Sequence, residues 1–438
     1  MNSNLLPAMS KYSIPSDLFK LNRERFSGIL PAKSMAIFRA AERMPRNGDQ
    51  FYPYRQQSDF FYLSGIDYEN AFLILYPDCP IDAMKEVLFI EPFNAVKATW
   101  EGHILSNQEA AEISGIKTIK RSDQLHTVLR ELMHYAEAVY LNTNEYIKFQ
   151  SEVEDVHQRF AKELKKKYPL HTFLRAAPLL EGSRVVKSKQ ELTLLQQACD
   201  ITKKAFERTL SFVNPGKFEY EVQAEIDHEF TINRANGHGY APIIGGGINS
   251  CVLHYTSNDC QLEAGDLLLF DFGAEYANYT ADMSRTIPVN GKFTLRQRDC
   301  YQAVLRVLKK AIKLYIPGNT IDKINQSVWE MMEQEMIDLG LFTAEDVKKQ
   351  HPDSPLYQKY LMHGVAHHIG LDVHDVGLKH QPLKAGMVLT CEPGIYIRDE
   401  KIGIRLENDI LVTEVEPIDL MADIPIEADE IEQLMNNN

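Results

Sequence analysis

The chain lacks the features that would tie it to a membrane or to nucleic acid. No stretch of it approaches the roughly 18 consecutive apolar residues of a spanning helix, and Met1 to Phe19 show no basic run leading into a long apolar one. Positive charge is outweighed by negative, giving a formal net charge of -14, which disfavours anionic membrane surfaces and nucleic acid as main partners. The six cysteines, Cys79, Cys199, Cys251, Cys260, Cys300 and Cys391, have neither paired spacing nor a Cys-x-x-Cys. Cysteine ligation of a metal is therefore excluded, and reduced thiols in a cytoplasmic protein are expected.

Several catalytic signatures are also missing. There is no His-Glu-x-x-His of a zincin and no Gly-x-Ser-x-Gly nucleophile elbow. Gly245-Gly246-Gly247 is followed by no Lys-Ser/Thr pair and reads as a flexible loop rather than a phosphate cradle. What is present is an ordinary globular composition, 44% hydrophobic and 25% charged over 438 residues, enough for two domains and a large core.

The pattern divides the chain into residues 1–178 and 179–438, with the junction at Leu179 to Arg184. The first part alternates strand-like runs (Ala71 to Tyr76, Glu86 to Ile90) with helical ones (Gln108 to Ile113, Asp123 to Ala136), which suggests an α/β domain. The charged stretch Ala161 to Lys167 reads as a solvated helix face. In the second part, Ser188 and Glu191 have capping-box spacing, and Leu192, Leu195, Cys199 and Phe206 mark one face of a helix stopped by Asn214-Pro215-Gly216. A second amphipathic segment, Tyr220 to Ala235, ends at Asn236-Gly237. The scheme recurs with Thr294 and Gln297, a stop at Pro317-Gly318, and a partner helix over Ile321 to Leu339. Each helix pair is followed by a histidine and then by an acidic pair, as in a weak internal duplication around a shared site.

Those acids carry the chemistry. Asp271 lies in the apolar run Leu267 to Gly273, where an unpaired carboxylate would cost several kcal/mol or stay protonated. Asp282 follows after Tyr276-Ala277-Asn278-Tyr279, at hairpin-like spacing. Glu392 ends the strand-like Met387 to Cys391, and Glu407 falls inside the strand-like run Ile404 to Val412. One such acid alone is more economically a capping residue. A cluster of four repels itself unless cations share it.

Histidine is concentrated in the same region: six of the 14 lie between His351 and His380. Adjacent His367 and His368 cannot face the same way from a strand or a helix, so at most one is a direct ligand. Carboxylate oxygens with one imidazole suit manganese, cobalt, iron or zinc, and the oxygen-rich balance leans to manganese. Four carboxylates formally neutralise two divalent ions, leaving a shared hydroxide as the reactive species.

Set together, His254-Tyr255, Asp271-Phe272-Gly273, Asp282, His363-Gly-x-x-His367-x-x-Gly-Leu-Asp-Val-His374-Asp, Glu392-Pro-Gly and Arg405-x-Glu407 resemble the metallopeptidases of the pita-bread fold, specifically aminopeptidase P. The resemblance covers nearly all of residues 184–413. In the first part, Tyr52-Pro-Tyr-Arg-Gln-x-Ser-Asp-Phe-x-Tyr-Leu-x-Gly65 is similar to the aminopeptidase P N-terminal domain.

The resemblance implies an α/β N-terminal domain and an α+β pita-bread catalytic domain with an internal pseudo-twofold. It further implies two divalent metal ions held by Asp271, Asp282, His367, Glu392 and Glu407, with Asp271 and Glu407 shared between them. His254, His363 and His374 would support the ligands or contact substrate. Arg405, on the same face as Glu407, would hold a carboxylate in place. Glu392 or a neighbouring histidine would pass a proton to the leaving nitrogen. Asp49 and Tyr396 fall at substrate-binding positions, and Trp100 at that of an aromatic closing a neighbouring subunit's pocket. The expected substrates are peptides with proline at the second position, cut after the first residue, by a homodimer or homotetramer. Three alternatives share the pattern: a prolidase cutting only dipeptides, a metal-free creatinase-type hydrolase, and a non-catalytic peptide- or protein-binding module. Retention of all five ligand positions disfavours the last two.

Overall fold

The apolar runs of the first part assemble into a mixed six-stranded sheet in the order Thr118–Arg121, Glu86–Ile90, Phe72–Leu75, Ser34–Arg39, Ala138–Leu141, Thr172–Arg175. This computed structural model describes residues 12, 14–149 and 151–437. Alternation along the central strand Ser34–Arg39 sends side chains to both faces. Met35 and Ile37 join a core with Leu125, Leu129, Leu132, Phe160 and Leu164 from the helices Leu125–Leu132 and Val156–Lys167. Phe38, on the opposite face, packs edge-on against Phe26 of the helix Ser16–Ser27 at 5.4 Å. Helices on both sides of the sheet make this unit α/β.

The Tyr52 to Gly65 signature is part of that packing. Gln57 caps the helix Ser58–Ser64 by accepting the Phe60 N–H, and Gly65 ends it in the left-handed region at φ 68°. Buried Gln56 accepts the Ala41 N–H and donates to the carbonyls of Ile66 and Tyr68. Asp59 pairs with Arg184 at 2.7 Å and accepts from Asn142 at 2.9 Å. The Tyr62 hydroxyl donates to the Ser183 carbonyl. Through these bonds the helix Ala177–Arg184 belongs to the first compact unit, Met1–Arg184, and the second is Val185–Asn438. The division falls at the end of the Leu179 to Arg184 junction read from the sequence, because that helix is held by long-range partners no local pattern displays.

In the second unit, the capping boxes at Ser188/Glu191 and Thr294/Gln297 start the helices Lys189–Phe212 and Leu295–Ala311. Their partners are Glu219–Ile232 and Ile321–Asp338. Two of these helices stop short of the breaks read from the sequence. Arg234 at φ 64° interrupts the one before Asn236-Gly237, and a 3-10 turn, Ile312–Leu314, replaces the last stretch before Pro317-Gly318. Each helix pair precedes a three-stranded antiparallel sheet: Ile243–Gly246, Leu267–Phe272 and Met283–Pro288, then Val388–Cys391, Asn408–Leu411 and Ile418–Asp419. One core threads through both halves, with Phe206, Leu268, Phe270, Val304, Leu389 and Ile404 among its members.

Two readings of the sequence need correction. The Gly245 triplet is not a flexible loop: Gly245 and Gly246 lie in the strand Ile243–Gly246, and Gly247 opens the 3-10 turn Gly247–Cys251. Glycine is required there because a Cβ on Gly245 would come within 2.9 Å of the Asn249 backbone. The run Ile404 to Val412 is not one strand either. It breaks at Leu406-Glu407, separating Ile402–Arg405, which pairs with Gly394–Ile397, from Asn408–Leu411, which pairs with Val388–Cys391. At the break, Leu406 N–H donates to the Pro393 carbonyl and Glu407 N–H to that of Ser284, so the chain leaves one sheet to join another.

Between Asp271 and Asp282 the chain forms the hairpin Ala274–Tyr276 with Tyr279–Thr280. Its two turn residues, Ala277 and Asn278, have φ of 52° and 65°, as a two-residue hairpin turn demands. The Gly273 backbone approaches the returning chain so closely that a Cβ would lie 1.7 Å from the Ala281 carbonyl oxygen. Gly273→Ala should therefore destabilise the second unit by about 3 kcal/mol or more, at the upper end of overpacking costs. Urea denaturation checks this, and an unchanged midpoint would contradict the close approach.

Candidate metal centre and active site

Strand pairing brings the first acids together. Asp271 lies opposite Ser284 across the antiparallel pair Leu267–Phe272 and Met283–Pro288, and Asp282 immediately precedes the second strand. The Tyr240 hydroxyl sits between them, 2.7 Å from Asp271 Oδ1 and 2.5 Å from Asp282 Oδ1. A hydroxyl has one proton to donate, so it cannot satisfy both acids when both are ionised.

The other half supplies the imidazole. Thr390 N–H donates to the His367 carbonyl and Glu392 N–H to that of Val365, laying the 365–367 segment along the strand Val388–Cys391. His367 Nδ1 lies 3.1 Å from the His368 carbonyl, which turns Nε2 inward, 3.4 Å from Asp282 Oδ2 and 3.8 Å from Glu392 Oε1. Glu407 enters from the break between its strands and accepts from Ser284 Oγ at 2.7 Å. One ligand atom from each of Asp282, His367 and Glu407 falls within 4.8 Å of the others.

The electrostatics of this cluster are those of a cation site. Burial, then the charge of Asp271, pushes Asp282 well above the usual carboxylate range. Burial followed by Asp282 does the same to Glu407, and burial followed by Glu407 raises Glu392 to about 8. Two unit charges 4 Å apart repel by about 4 kcal/mol at an effective dielectric of 20. Oxygen donors and one imidazole converge here, and burial with neighbouring acids holds Asp282, Glu392 and Glu407 toward the protonated form; such a set fits divalent cations, which would displace those protons.

Arg405 braces the cluster. Its Nη2 lies 2.6 Å from Asp271 Oδ2, its Nε donates to Ser284 Oγ at 2.9 Å, and its Nη1 donates to the Tyr396 hydroxyl at 2.8 Å. That hydroxyl lies 2.8 Å from His363 Nε2, while His363 Nδ1 is 2.8 Å from the Gly364 carbonyl. The arrangement assigns the proton of His363 to Nδ1, with Nε2 accepting from Tyr396. Burial, then Arg405, lowers the His363 pKa to about 4, so this imidazole is neutral at physiological pH.

The remaining residues singled out in the sequence lie at different places. His374 is exposed, its ring edge-on to that of His367 with centroids 4.5 Å apart. His254 is exposed, and its charge acts on His363. His368 is buried, its ring so close to Gly377 that a Cβ there would come within 2.2 Å. Asp49 belongs to the first unit, exposed at the turn between Pro45–Asn47 and Gln50–Phe51 and accepting from Gln50 Nε2 at 2.9 Å. Trp100 is 82% exposed on the helix Ala95–Glu101 of the same unit.

Sequence reading missed Tyr240, Ser284 and Asp409. Asp409 is fully buried and accepts the Asp282 N–H at 3.2 Å and the Cys199 thiol at 3.6 Å. Ser284 and Asp409 each follow a ligand candidate by two residues, a spacing that could have flagged them. Tyr240, in a loop, carries no such periodic signal.

These shifts set the pH response of the metal-free chain. A carboxyl whose folded pKa is raised binds more protons folded than unfolded, so stability falls as pH rises through that interval. Between the ordinary value of 4.5 and about 8 for Glu392, the chelated protein should lose thermal stability progressively. Restoring a divalent cation should flatten the slope. Melting temperatures that rise with pH after chelation would contradict the geometry.

The family model for metallopeptidase family M24 matches residues 193–414, and that for the aminopeptidase P N-terminal domain matches residues 19–140. The Xaa-Pro aminopeptidase of Haemophilus influenzae is 36% identical over 97% of this chain and 98% of its own length. An aminopeptidase P-type structure from Bacillus anthracis superposes with a TM-score of 0.90 at 33% identity, over 97% of this chain and 99% of that one. A zinc-substituted aminopeptidase P of Escherichia coli in complex with product gives a TM-score of 0.86 at 32% identity, over 97% and 99%. The second unit thus has the pita-bread architecture, and the chain belongs to metallopeptidase family M24, within the aminopeptidase P group.

Proposed function

We infer that this chain is a metal-dependent exopeptidase that hydrolyses the bond between the first residue of a peptide and a following proline. The observation that carries the reading is the convergence of Asp282, His367 and Glu407 within ligand distance of one another, in a chain related to Xaa-Pro aminopeptidases along nearly its whole length. Asp271, Asp282, His367, Glu392 and Glu407 are the residues that would hold two divalent ions. Four carboxylates balance four positive charges, and the oxygen-rich set favours manganese over cobalt, iron or zinc. Such ions supply Lewis acidity to the scissile carbonyl and bring the pKa of a water toward neutrality.

The chain's own groups account for binding, orientation and proton movement. Proline nitrogen in a peptide has no N–H, so recognition falls to ring contacts and to the acids that receive the free α-amine. Neutral His363 is held beside the cluster by Tyr396 and the Gly364 carbonyl, and a rim histidine, His254 or His374, can donate to the carbonyl oxygen before proline. Glu392, ionised once cations have displaced its proton, can take up the proton lost by the attacking water. Its carboxyl can pass that proton to the imide nitrogen as the C–N bond breaks and hydroxide adds to the carbonyl carbon. Tyr396 contributes to substrate binding through His363, and Asp49 is a substrate-binding candidate on the family resemblance alone.

An assembly of two or four copies through the first unit fits its exposed aromatics, with Phe93 at 76% and Trp100 at 82% exposure. Sedimentation velocity should give a dimer or tetramer, and a lone monomer species would exclude the assembly. Unpaired cysteines fit a reducing, cytoplasmic setting, and among the described residues no helix is long and apolar enough to cross a membrane. Recovery of the native protein from an oxidising compartment would contradict the cytoplasmic placement.

An Xaa-Pro-Yaa tripeptide and its matching Xaa-Pro dipeptide distinguish the remaining alternatives. After chelation neither should be cleaved, and added manganese should restore cleavage of the tripeptide at Xaa–Pro. Cleavage of the dipeptide alone would make the chain a prolidase, and cleavage of neither would leave a binding module. Asp282→Asn should lose at least ~100-fold in kcat/KM, since residues that merely support a metal's ligands cost about 10- to 100-fold. A fully active folded variant would remove Asp282 from the metal site.

A further inference from the structure

The second unit holds a buried carboxylate that the hydrolysis does not use. Glu219, the first residue of the helix Glu219–Ile232, is 0% exposed. Its Oε1 accepts from Gly246 N–H at 2.7 Å and from Asn249 Nδ2 at 3.3 Å. Its Oε2 accepts from the Tyr255 hydroxyl at 2.7 Å and from Cys260 N–H at 2.9 Å. The Glu219 backbone N–H donates in turn to the Cys260 carbonyl.

Glu219, Asp259 and Cys260 place ligand atoms within 4.8 Å of one another, which invites a second metal site. The donors decide against it. Both Glu219 oxygens are already met by N–H and O–H groups whose hydrogens point at them, and a cation there would have to displace those bonds. A carboxylate with this set of donors acts as an organising group, because each partner removed leaves buried polar atoms unsatisfied.

What it organises is the chain from Gly245 to Cys260. This segment runs from the end of the strand Ile243–Gly246, which pairs Ile243 with Asp271, through the 3-10 turn to His254-Tyr255. His254 lies in no strand or helix, and its neighbour Tyr255 is bonded to Glu219. Burial raises the Tyr255 hydroxyl pKa, keeping it a proton donor. We propose that Glu219 is a positioning residue which, through Tyr255 and the Gly246 and Cys260 amides, fixes the loop that presents His254 beside His363; this rests on the Xaa-Pro hydrolysis read above.

A double-variant cycle tests it. Initial rates on an Xaa-Pro-Yaa tripeptide, with manganese present, are measured for the full-length chain, Glu219→Gln, His254→Ala and the double variant, alongside melting temperatures. Glu219→Gln should lower kcat/KM by about 10- to 100-fold, in line with lost bonds to a charged group. The loss should fall on kcat, because His254 acts at the reacting carbonyl. Added to His254→Ala, the same substitution should cost nothing further. If Glu219→Gln does not fold, Tyr255→Phe removes one donor, keeps the ring, and should show a smaller loss that also vanishes in the His254→Ala background. Losses that multiply, or a fully active Glu219→Gln, overturn the proposal. A fully active His254→Ala also overturns it by removing the residue through which Glu219 acts. Inactivity of the unsubstituted chain would instead overturn the hydrolysis reading itself.

Discussion

Too many buried acids for the positive charge around them is the constraint on which the second unit depends. Asp271, Asp282, Glu392, Glu407 and Asp409 share a small volume with Arg405 and His367. Asp282, Glu407 and Asp409 are each pushed upward by burial first and by a neighbouring acid second. A core built only for stability would not keep such a group, since apolar residues of similar volume would pack there without electrostatic cost. The arrangement makes sense when divalent cations are counted as part of the structure.

The scaffold holds that cluster by making each acid's position depend on more than one element. Glu407 receives its position from the Ser284 carbonyl and hydroxyl, which belong to the first half of the unit. Asp282 has its N–H bonded to Asp409 of the second half. Arg405 reaches back from the second half to Asp271 and Ser284. Each half thus helps to place the acids of the other.

The path Asp271, Arg405, Tyr396, His363 joins the cluster to the imidazole that would meet the substrate. Arg405 also keeps His363 neutral, its charge acting in the same direction as burial. The planar guanidinium suits this task because it can bond a carboxylate, a serine and a tyrosine at once in fixed directions, which a lysine could not.

Much of this was legible in the sequence because it is local or periodic. Capping boxes at Ser188 and Thr294, the apolar run around Asp271 and the His363 to His374 spacing each act over a few residues, so order along the chain carries the signal. The triplet at Gly245 misled because permissive glycines and tightly packed glycines look alike in a sequence. The break at Glu407 was hidden because both flanks are apolar and strand-like. Tyr240, Ser284, Asp409 and Glu219 stayed invisible in their roles because their partners lie far along the chain. The sequence by itself displayed the candidate metal-binding groups and most of the segments that form helix or strand. Only tertiary structure decided which carboxylates meet and which histidine turns inward, because those outcomes depend on how separate sheets and loops are brought together.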